Sequence, residues 1–473
     1  MNLFLLSGLN LTTGALVLLI ICLLAVCAFE FVNGFHDTAN AVATVIYTHS
    51  LRPTTAVVLS GVLNFLGVIL GGLGVAMGIL KILPLAELMN APLYENVAFL
   101  LGVLLSAIIW NIGTWYLGLP ASSSHTLIGA LVGASLVFGS GVLSEAQTTK
   151  VYEIFAFLII SPILGFIAAL LLLKLMRKFV QSRDLYEKPE GDNPPPMWVR
   201  LLIILGCVGV SFSHGSNDGQ KGVGLMLVVL IAFLPAQFAL VPDFNPKECL
   251  SALQTIEKIA APVAVASHPL QAEATILLTE VKKAQELAAA YEAITPQDKK
   301  VELRRQLGNS IPKAVKSLTN KSKEIAETNP TQTVDSKALG EARESLKAFT
   351  DFAPRWSIIL ISLCLGLGTM VGWKRIVETI GEKIGKSGFD YSQGLISQFV
   401  SSATIFLSTM LSLPVSTTHI VSSSVMGSMF AKGGKENIQR KTVINIALAW
   451  GLTLPVCIGL SAFLYWLIAA ILV

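Results

Sequence analysis

Apolar residues fall into stretches at roughly 13–48, 54–80, 95–118, 121–138 and 150–174, and again at 200–240, 354–373, 388–412, 415–430 and 442–472. Between Val97 and Ser144 there is no Lys, Arg, Asp or Glu, a run long enough to cross a membrane twice at about 20 residues per crossing. In its middle stands GLPASSSHTLIG (118–129), three adjacent hydroxyls and a histidine inside a segment suited to hydrocarbon. The pattern predicts an all-α polytopic membrane protein. Two polar intervals divide it: a charged, Pro-rich stretch from Arg177 to Arg200, and a longer one from about Val241 to Pro354.

The expected partition is therefore a first membrane repeat at 1–176, a cytoplasmic linker at 177–199, and a second membrane repeat at 200–240 and 354–473. A soluble helical insertion occupies 241–353. Within the insertion, ECLSALQTIEKIAAPVAVA and EATILLTEVKKAQELAAAYEAI space apolar residues by three and four, with charges opposite. It reads as an accessory helical domain, since nothing in it forms a ligand constellation.

Composition agrees with a membrane protein: 53% of residues are hydrophobic and 14% charged, far from a soluble chain of this size. The net charge of +4 is spread over helix ends and gives no reason to expect a nucleic-acid partner. Five of the six cysteines (Cys22, Cys27, Cys207, Cys364 and Cys457) lie in apolar segments without CxxC or CxxH spacing, so neither a disulfide frame nor a zinc site is suggested. The N-terminus lacks a basic region before its apolar run, and Leu11 to Ala28 reads as a first crossing rather than a cleaved signal.

Loop charges orient the chain, because Lys and Arg near short loops stay in the cytoplasm. Lys174, Arg177, Lys178 and Arg183 put the linker, including Glu190, inside. Lys374, Arg375, Lys383 and Lys386 do the same for a second loop, and Lys432, Lys435, Arg440 and Lys441 for a third. Both termini and the insertion, with Cys249, are then expected outside. An odd number of crossings in each half makes the halves oppositely oriented.

The halves also repeat. FVNGFHDTANAVA (Phe31–Ala43) aligns with FSHGSNDGQKGVG (Phe212–Gly224), and LPASSSHTLIG (Leu119–Gly129) with LPVSTTHIVSS (Leu413–Ser423). The motifs lie farther apart in the second half, by about the length of the insertion. Repeated motifs in the same order, in oppositely oriented halves, point to an inverted-repeat transporter.

Each hydroxyl cluster follows a proline, which has no amide to donate and marks a helix start or break. Ser122 and Ser416 suit the N-cap position, and apolar helix follows each. A helix that begins within the membrane leaves its first amides free, and an anion satisfies both those amides and the positive end of the dipole. Ser122, Ser123, Ser124, Thr126, Ser416, Thr417 and Thr418 are therefore candidate oxyanion ligands. The plainer reading is that such hydroxyls bond only to their own backbone or help helices pack; two clusters at equivalent positions argue against it.

Asp37 and Asp218 stand in apolar segments, where a carboxylate costs several kcal/mol unless paired or protonated. Asn40 and Asn217 supply nearby oxygens of the kind that hold hard cations, and a chain break at Gly34, or at Gly215 and Gly219, would add backbone carbonyls. The plainer alternative is a carboxylate capping a broken helix. Four of the six histidines (His36, His125, His214 and His419) sit in these motifs. Any one is an ordinary buried hydrogen-bonding residue first, although His36 beside Asp37 could exchange protons near neutral pH. Lys221 reads as a buried cation that neutralises an aspartate. Glu30 is either a second proton acceptor or a neighbour of an aqueous cavity.

These residues resemble the inorganic phosphate transporter (PiT) family, whose duplicated signature is Gly-x-Asn-Asp-x-x-Asn. The resemblance covers both membrane halves, roughly 13–240 and 354–472, and omits the insertion. It implies symport of phosphate with a cation on inverted repeats with broken helices or re-entrant hairpins, generally in a homodimer. It also implies that Asp37, Asn40, Asn217 and Asp218 serve cation coupling while the two hydroxyl clusters cradle phosphate. Two departures matter: His36 stands where sodium-coupled relatives usually show Asn, and Lys221 replaces the final Asn of the second signature. The pairing of HDTAN with NDGQK looks like the bacterial low-affinity branch, which couples to protons and accepts neutral metal phosphate.

The expectation is thus a proton-coupled phosphate symporter of a bacterial inner membrane, embedded in lipid, with no cofactor and with a divalent metal as the candidate second cargo. Arsenate should compete and sulfate should compete poorly. Sodium-coupled symport of phosphate or another oxyanion is the alternative. An intramembrane hydrolase built on Ser, His and Asp lacks a nucleophile-elbow setting, and a channel would share the buried carboxylates but could not concentrate its solute.

Overall fold

The computed structural model describes residues 11–138, 145–189, 191, 193–265, 270–294, 297–317, 336–386 and 390–472. Glu190, assigned above to the inner linker, lies outside them. The first part of the chain folds as α1 (Thr13–Tyr47), α2 (Pro53–Leu70), α3 (Gly74–Leu80), α4 (Leu93–Tyr116), α5 (Ser123–Ser135), α6 (Glu145–Phe179) and α7 (Met197–Phe233). Then come α8 (Pro246–Val265), α9 (Gln271–Ala293), α10 (Gln297–Ser317) and α11 (Ser336–Ala348). The chain closes with α12 (Arg355–Thr369), α13 (Tyr391–Met410), α14 (Thr417–Gly433) and α15 (Arg440–Leu472). The described residues contain no strand.

Six of these helices (α1, α2, α4, α6, α7 and α15) are long and apolar enough to span a bilayer. In addition, α12 and the segment Lys374–Gly381 pass together as a span bent by 58°. The chain is a multi-pass membrane protein. At 1.5 Å per residue, α5 reaches only about 20 Å, short of a hydrocarbon core of about 30 Å. It and α14 begin inside the protein; α5 is buried along its whole length and α14 along its first turns.

Two compact units emerge. Residues 85–90 and 230–353 form one, whose core joins Cys249, Leu253 and Ile256 of α8 to Leu277 and Val281 of α9, Leu307 of α10 and Leu346 of α11. Cys249 is fully buried, and burial pushes its thiol up to about 12. The amphipathic period of α8 turns this thiol into the core, so it cannot report which side of the membrane the insertion occupies.

The other unit holds the membrane helices and interleaves the two halves of the chain. Helix α1 packs on α12, and α2 packs on both α12 and α7. The α5 helix packs on α15, and α14 on α6. Each short helix is therefore clasped by the last long helix of the opposite half. Close approach explains the signature glycines: a Cβ on Gly34 would lie 2.4 Å from the Leu365 carbonyl oxygen, and one on Gly215 would lie 2.2 Å from that of Asn64. The expected chain breaks at Gly34, Gly215 and Gly219 do not occur, since α1 and α7 run unbroken through them. A missing side chain serves backbone contact here, and no carbonyls are released.

Candidate functional site

The turns ahead of α5 and α14 are built alike. At the end of α4 the Leu119 amide donates back to Thr114 O over 2.9 Å, and at the end of α13 the Leu413 amide donates to Ser408 O over 2.9 Å. The residue before each leucine is left-handed: Gly118 at φ 65° and Ser412 at φ 58°. This is the reversal that commonly closes a helix. A proline follows in each copy, and then the new helix begins. Ser122 accepts from the His125 amide (3.2 Å) and Ser416 from the His419 amide (3.1 Å), so each is the N-cap of its helix. By helix geometry the amides of Ser123, Ser124, Thr417 and Thr418 have no intrahelical acceptor.

The two helix starts meet at Asp37. Ser123 Oγ donates to Asp37 Oδ2 over 3.0 Å, and Thr418 Oγ1 donates to Asp37 Oδ1 over 2.9 Å. Asn40 Nδ2 donates to the same threonine hydroxyl at 3.0 Å. His36 Nδ1 lies 2.8 Å from Asp37 Oδ1, with Nε2 3.2 Å from Thr114 Oγ1. Asp37 is 2% exposed, and both hydroxyl clusters are buried with it.

The second aspartate has different company. Asp218 Oδ2 lies 2.8 Å from Lys221 Nζ, one turn along α7. The same ammonium donates to Ser124 Oγ over 2.5 Å and reaches Val415 O at 3.4 Å, while Ser124 Oγ donates to Val415 O over 2.5 Å. Lys221 therefore links one aspartate to both helix starts. Asn217 holds the second turn in place: its amide nitrogen donates to Thr409 Oγ1 (3.1 Å) and Leu413 O (3.0 Å), and its oxygen accepts from the Val415 amide (3.3 Å).

Between the aspartates stands His214. Its Nδ1 donates to Asn64 Oδ1 over 2.9 Å, and its Nε2 is 3.7 Å from Asp37 Oδ2 and 3.8 Å from Asp218 Oδ2. Ligand atoms of Asp37, His214 and Asp218 all fall within 4.8 Å of one another, close enough for one divalent metal. Next to the helix starts, the rings of His125 and His419 face each other at 4.5 Å, and Trp450 stacks on His419 at 3.9 Å.

The sequence matches the phosphate transporter family model over residues 33–461, which takes in both signatures and both hydroxyl clusters. The chain belongs to the phosphate transporter family. It is similar to the low-affinity inorganic phosphate transporter PitA of Escherichia coli, with 40% identity over 98% of this chain and 99% of that protein. It is similar also to PitB of the same organism, at 39% identity over 99% of each. A probable low-affinity inorganic phosphate transporter of Bacillus subtilis is 26% identical over 96% of each. Among solved structures, "The sodium-dependent phosphate transporter" shares the fold with a TM-score of 0.57 and 20% identity, covering 96% of this chain and 100% of that one. These relatives are named as transporters, a non-enzymatic class.

Within this transporter the predicted site residues converge, but not uniformly. Ser123, Ser124 and Thr418 meet the charged groups directly, and Thr417 Oγ1 is buried without a hydrogen-bond partner. Thr126 turns to its own helix, donating to Ser122 O over 2.9 Å. His214 was singled out in the sequence only as a buried hydrogen-bonding residue. Its spacing of four before Asp218 was the available signal, since that spacing puts the two on one helix face; its nearness to Asp37 depends on packing between α1 and α7.

Proposed function

We propose that the protein imports inorganic phosphate across a bacterial inner membrane by proton symport, with phosphate held between the N-termini of α5 and α14. The observation that carries this is the convergence of both hydroxyl clusters on one buried carboxylate. Asp37 occupies the donors that an oxyanion would use. Phosphate entry then means that Asp37 gives up the Ser123 and Thr418 hydroxyls, and two anions side by side in a low-dielectric site repel strongly. Positive charge must arrive with the substrate.

Three features favour protons as that charge. Nδ1 of His214 is committed as a donor to Asn64, so the ring sets a nitrogen between the two carboxylates, where sodium, a hard cation, would call for oxygen ligands. The Lys221 ammonium beside Asp218 repels a sodium ion from that half. The Asn217 oxygen, an expected cation ligand, already accepts from the Val415 amide. The Asp37, His214 and Asp218 cluster also supports a second cargo, a divalent metal travelling with phosphate as a neutral species. The loop charges favour the insertion and both termini outside, with the two repeats inverted; the relatives' family favours a homodimer.

Uptake into proteoliposomes under independently imposed proton and sodium gradients tests the reading. An inward proton gradient should drive concentration of phosphate, sodium should be dispensable, and divalent metal should raise the rate. Arsenate should compete. Sulfate should compete poorly, because near neutral pH it has no hydroxyl to donate to Asp37, and an unmet polar group in a dry site costs about 1–3 kcal/mol. A strict sodium requirement without a proton response overturns the coupling assignment.

A further inference from the structure

One buried acid is left unused by this mechanism. Glu30, seven residues before Asp37 on α1, is fully buried. Its Oε1 accepts from Asn33 Nδ2 over 3.1 Å, and its Oε2 has no hydrogen-bond partner. The carboxyl lies against the backbone of α7: a Cβ on Gly222, the residue after Lys221, would come 2.3 Å from Oε2, with Ile361 of α12 forming an apolar wall beside it. The charged groups acting on Glu30 are Asp218 and Lys221 from α7 and Asp37 from its own helix. From α12 the thiol of Cys364, hydrogen-bonded to the free thiol of Cys27, is near enough to feel its charge. Lys221 is the one cation among them, and in this conformation it is engaged by Asp218 and Ser124.

We infer that Glu30 is the group that carries the coupled proton, one per cycle, and that Lys221 is the counter-ion it shares with Asp218. This rests on the proton-symport reading above. The repeat supports a single carrier, because the position equivalent to Glu30 is Ser211, which donates to Ser60 Oγ over 2.9 Å and cannot titrate. While Lys221 holds Asp218 and the hairpin, an ionised Glu30 would be a buried anion without a counter-ion, a state that costs several kcal/mol. Glu30 therefore takes a proton from a hydronium on the outer side: one O–H bond of the hydronium breaks, leaving water, and one carboxyl O–H bond forms. Once phosphate has left, Lys221 turns to Glu30, that O–H bond breaks, and the proton passes to water on the inner side. No other bond changes. Glu30 touches no candidate phosphate ligand, so removing its charge should uncouple transport without removing substrate binding.

The test compares wild type with Glu30→Gln and Glu30→Asp in proteoliposomes. One assay is phosphate accumulation under a proton gradient of one pH unit, and the other is exchange of labelled for unlabelled phosphate at equal concentrations on both sides. Wild type should accumulate phosphate about tenfold, as one proton per phosphate allows. Glu30→Gln should exchange at near wild-type rate and fail to accumulate. Accumulation by Glu30→Gln at the wild-type level overturns the inference while leaving proton symport intact, and so does loss of exchange along with accumulation in well-folded protein. A wild type indifferent to protons overturns the symport reading, and this inference with it. Should Glu30→Gln fail to fold, Glu30→Asp decides: it should accumulate phosphate with a displaced pH profile, and an unchanged profile overturns the proposal.

Discussion

Asp37 on α1 and Asp218 on α7 occupy the same place in a repeated motif, yet they live in different chemistry. Asp37 is solvated by hydroxyls, one from each hairpin, together with His36. Asp218 has no hydroxyl donor among the described residues and leans on one ammonium. The substitutions that separate the two signatures account for this. At the position before each aspartate, His36 reaches Thr114, whereas Asn217 reaches Thr409, one residue beyond the counterpart of Thr114, together with Leu413 O. Three residues after each aspartate, Asn40 supports Thr418 from below, whereas Lys221 supplies a full charge. Duplication preserved the scaffold, and divergence at two positions turned one aspartate into a hydroxyl acceptor and the other into half of an ion pair.

The largest effect should come from breaking the ion pair. Removing one member of a buried pair leaves an uncompensated charge and costs about 3–5 kcal/mol, whereas removing both costs far less. Lys221→Met should therefore lower the unfolding midpoint of the purified transporter sharply, and Lys221→Met with Asp218→Asn should restore most of it. Additive losses would mean that the two do not act as a pair.

Next comes Asp37 itself. Asp37→Asn keeps the shape but loses the charge that draws two hydroxyls, and hydrogen bonds to a charged group are worth about 1.5–3 kcal/mol each. Concentrative uptake should fall by about 100-fold or more. Unfolding should shift less than for Lys221→Met, because no buried charge is stranded. An equal shift would erase the contrast between the two aspartates.

How much of this could be read from the chain depended on whether one element or two supplied the contact. The N-caps Ser122 and Ser416 were legible because proline, hydroxyl and apolar helix follow one another in sequence. The pairing of Lys221 with Asp218 was legible for the same reason, since both lie on one turn of α7. The crossing of halves was not. Nothing local to Gly34 shows that its neighbour is Leu365 rather than another turn of its own helix, so the glycine read as a break when it is a contact. His214 was hidden likewise, because Asp37 reaches it from another helix.

That shared scaffold can be tested with a smaller perturbation. A methyl group at Gly34 would meet Leu365 O and the Thr369 amide nitrogen at 2.4 and 2.8 Å, and one at Gly215 would meet Asn64 backbone at 2.2 Å. Both contacts are backbone on backbone, so helices must separate, a kind of overpacking that costs about 1–3 kcal/mol. Gly34→Ala and Gly215→Ala should destabilise to similar extents in thermal unfolding, even though Asp37→Asn and Lys221→Met do not. Markedly unequal effects would show that the halves differ in packing as well as in charge.

The smallest effect concerns direction, with no cost in stability expected. If α1 and α7 run oppositely through the membrane, the start of α1 and the end of α7 share a side, and the insertion after α7 lies outside with the N-terminus. Cys249 cannot report this, because it is buried and its thiol is pushed up to about 12. Only the thiolate reacts, so at pH 8 nearly all of Cys249 is unreactive, and its labelling should rise with pH only as the solution approaches that value. Lys247, two residues earlier, is 79% exposed at the side chain and pairs only loosely with Glu292 at 3.7 Å. Lys247→Cys should react with an impermeant thiol reagent in intact spheroplasts at pH 8 while Cys249 stays silent until the protein is unfolded. Labelling of Lys247→Cys only after permeabilisation would put the end of α7 inside and remove the opposed orientation on which the comparison of the two aspartates as inverted counterparts depends.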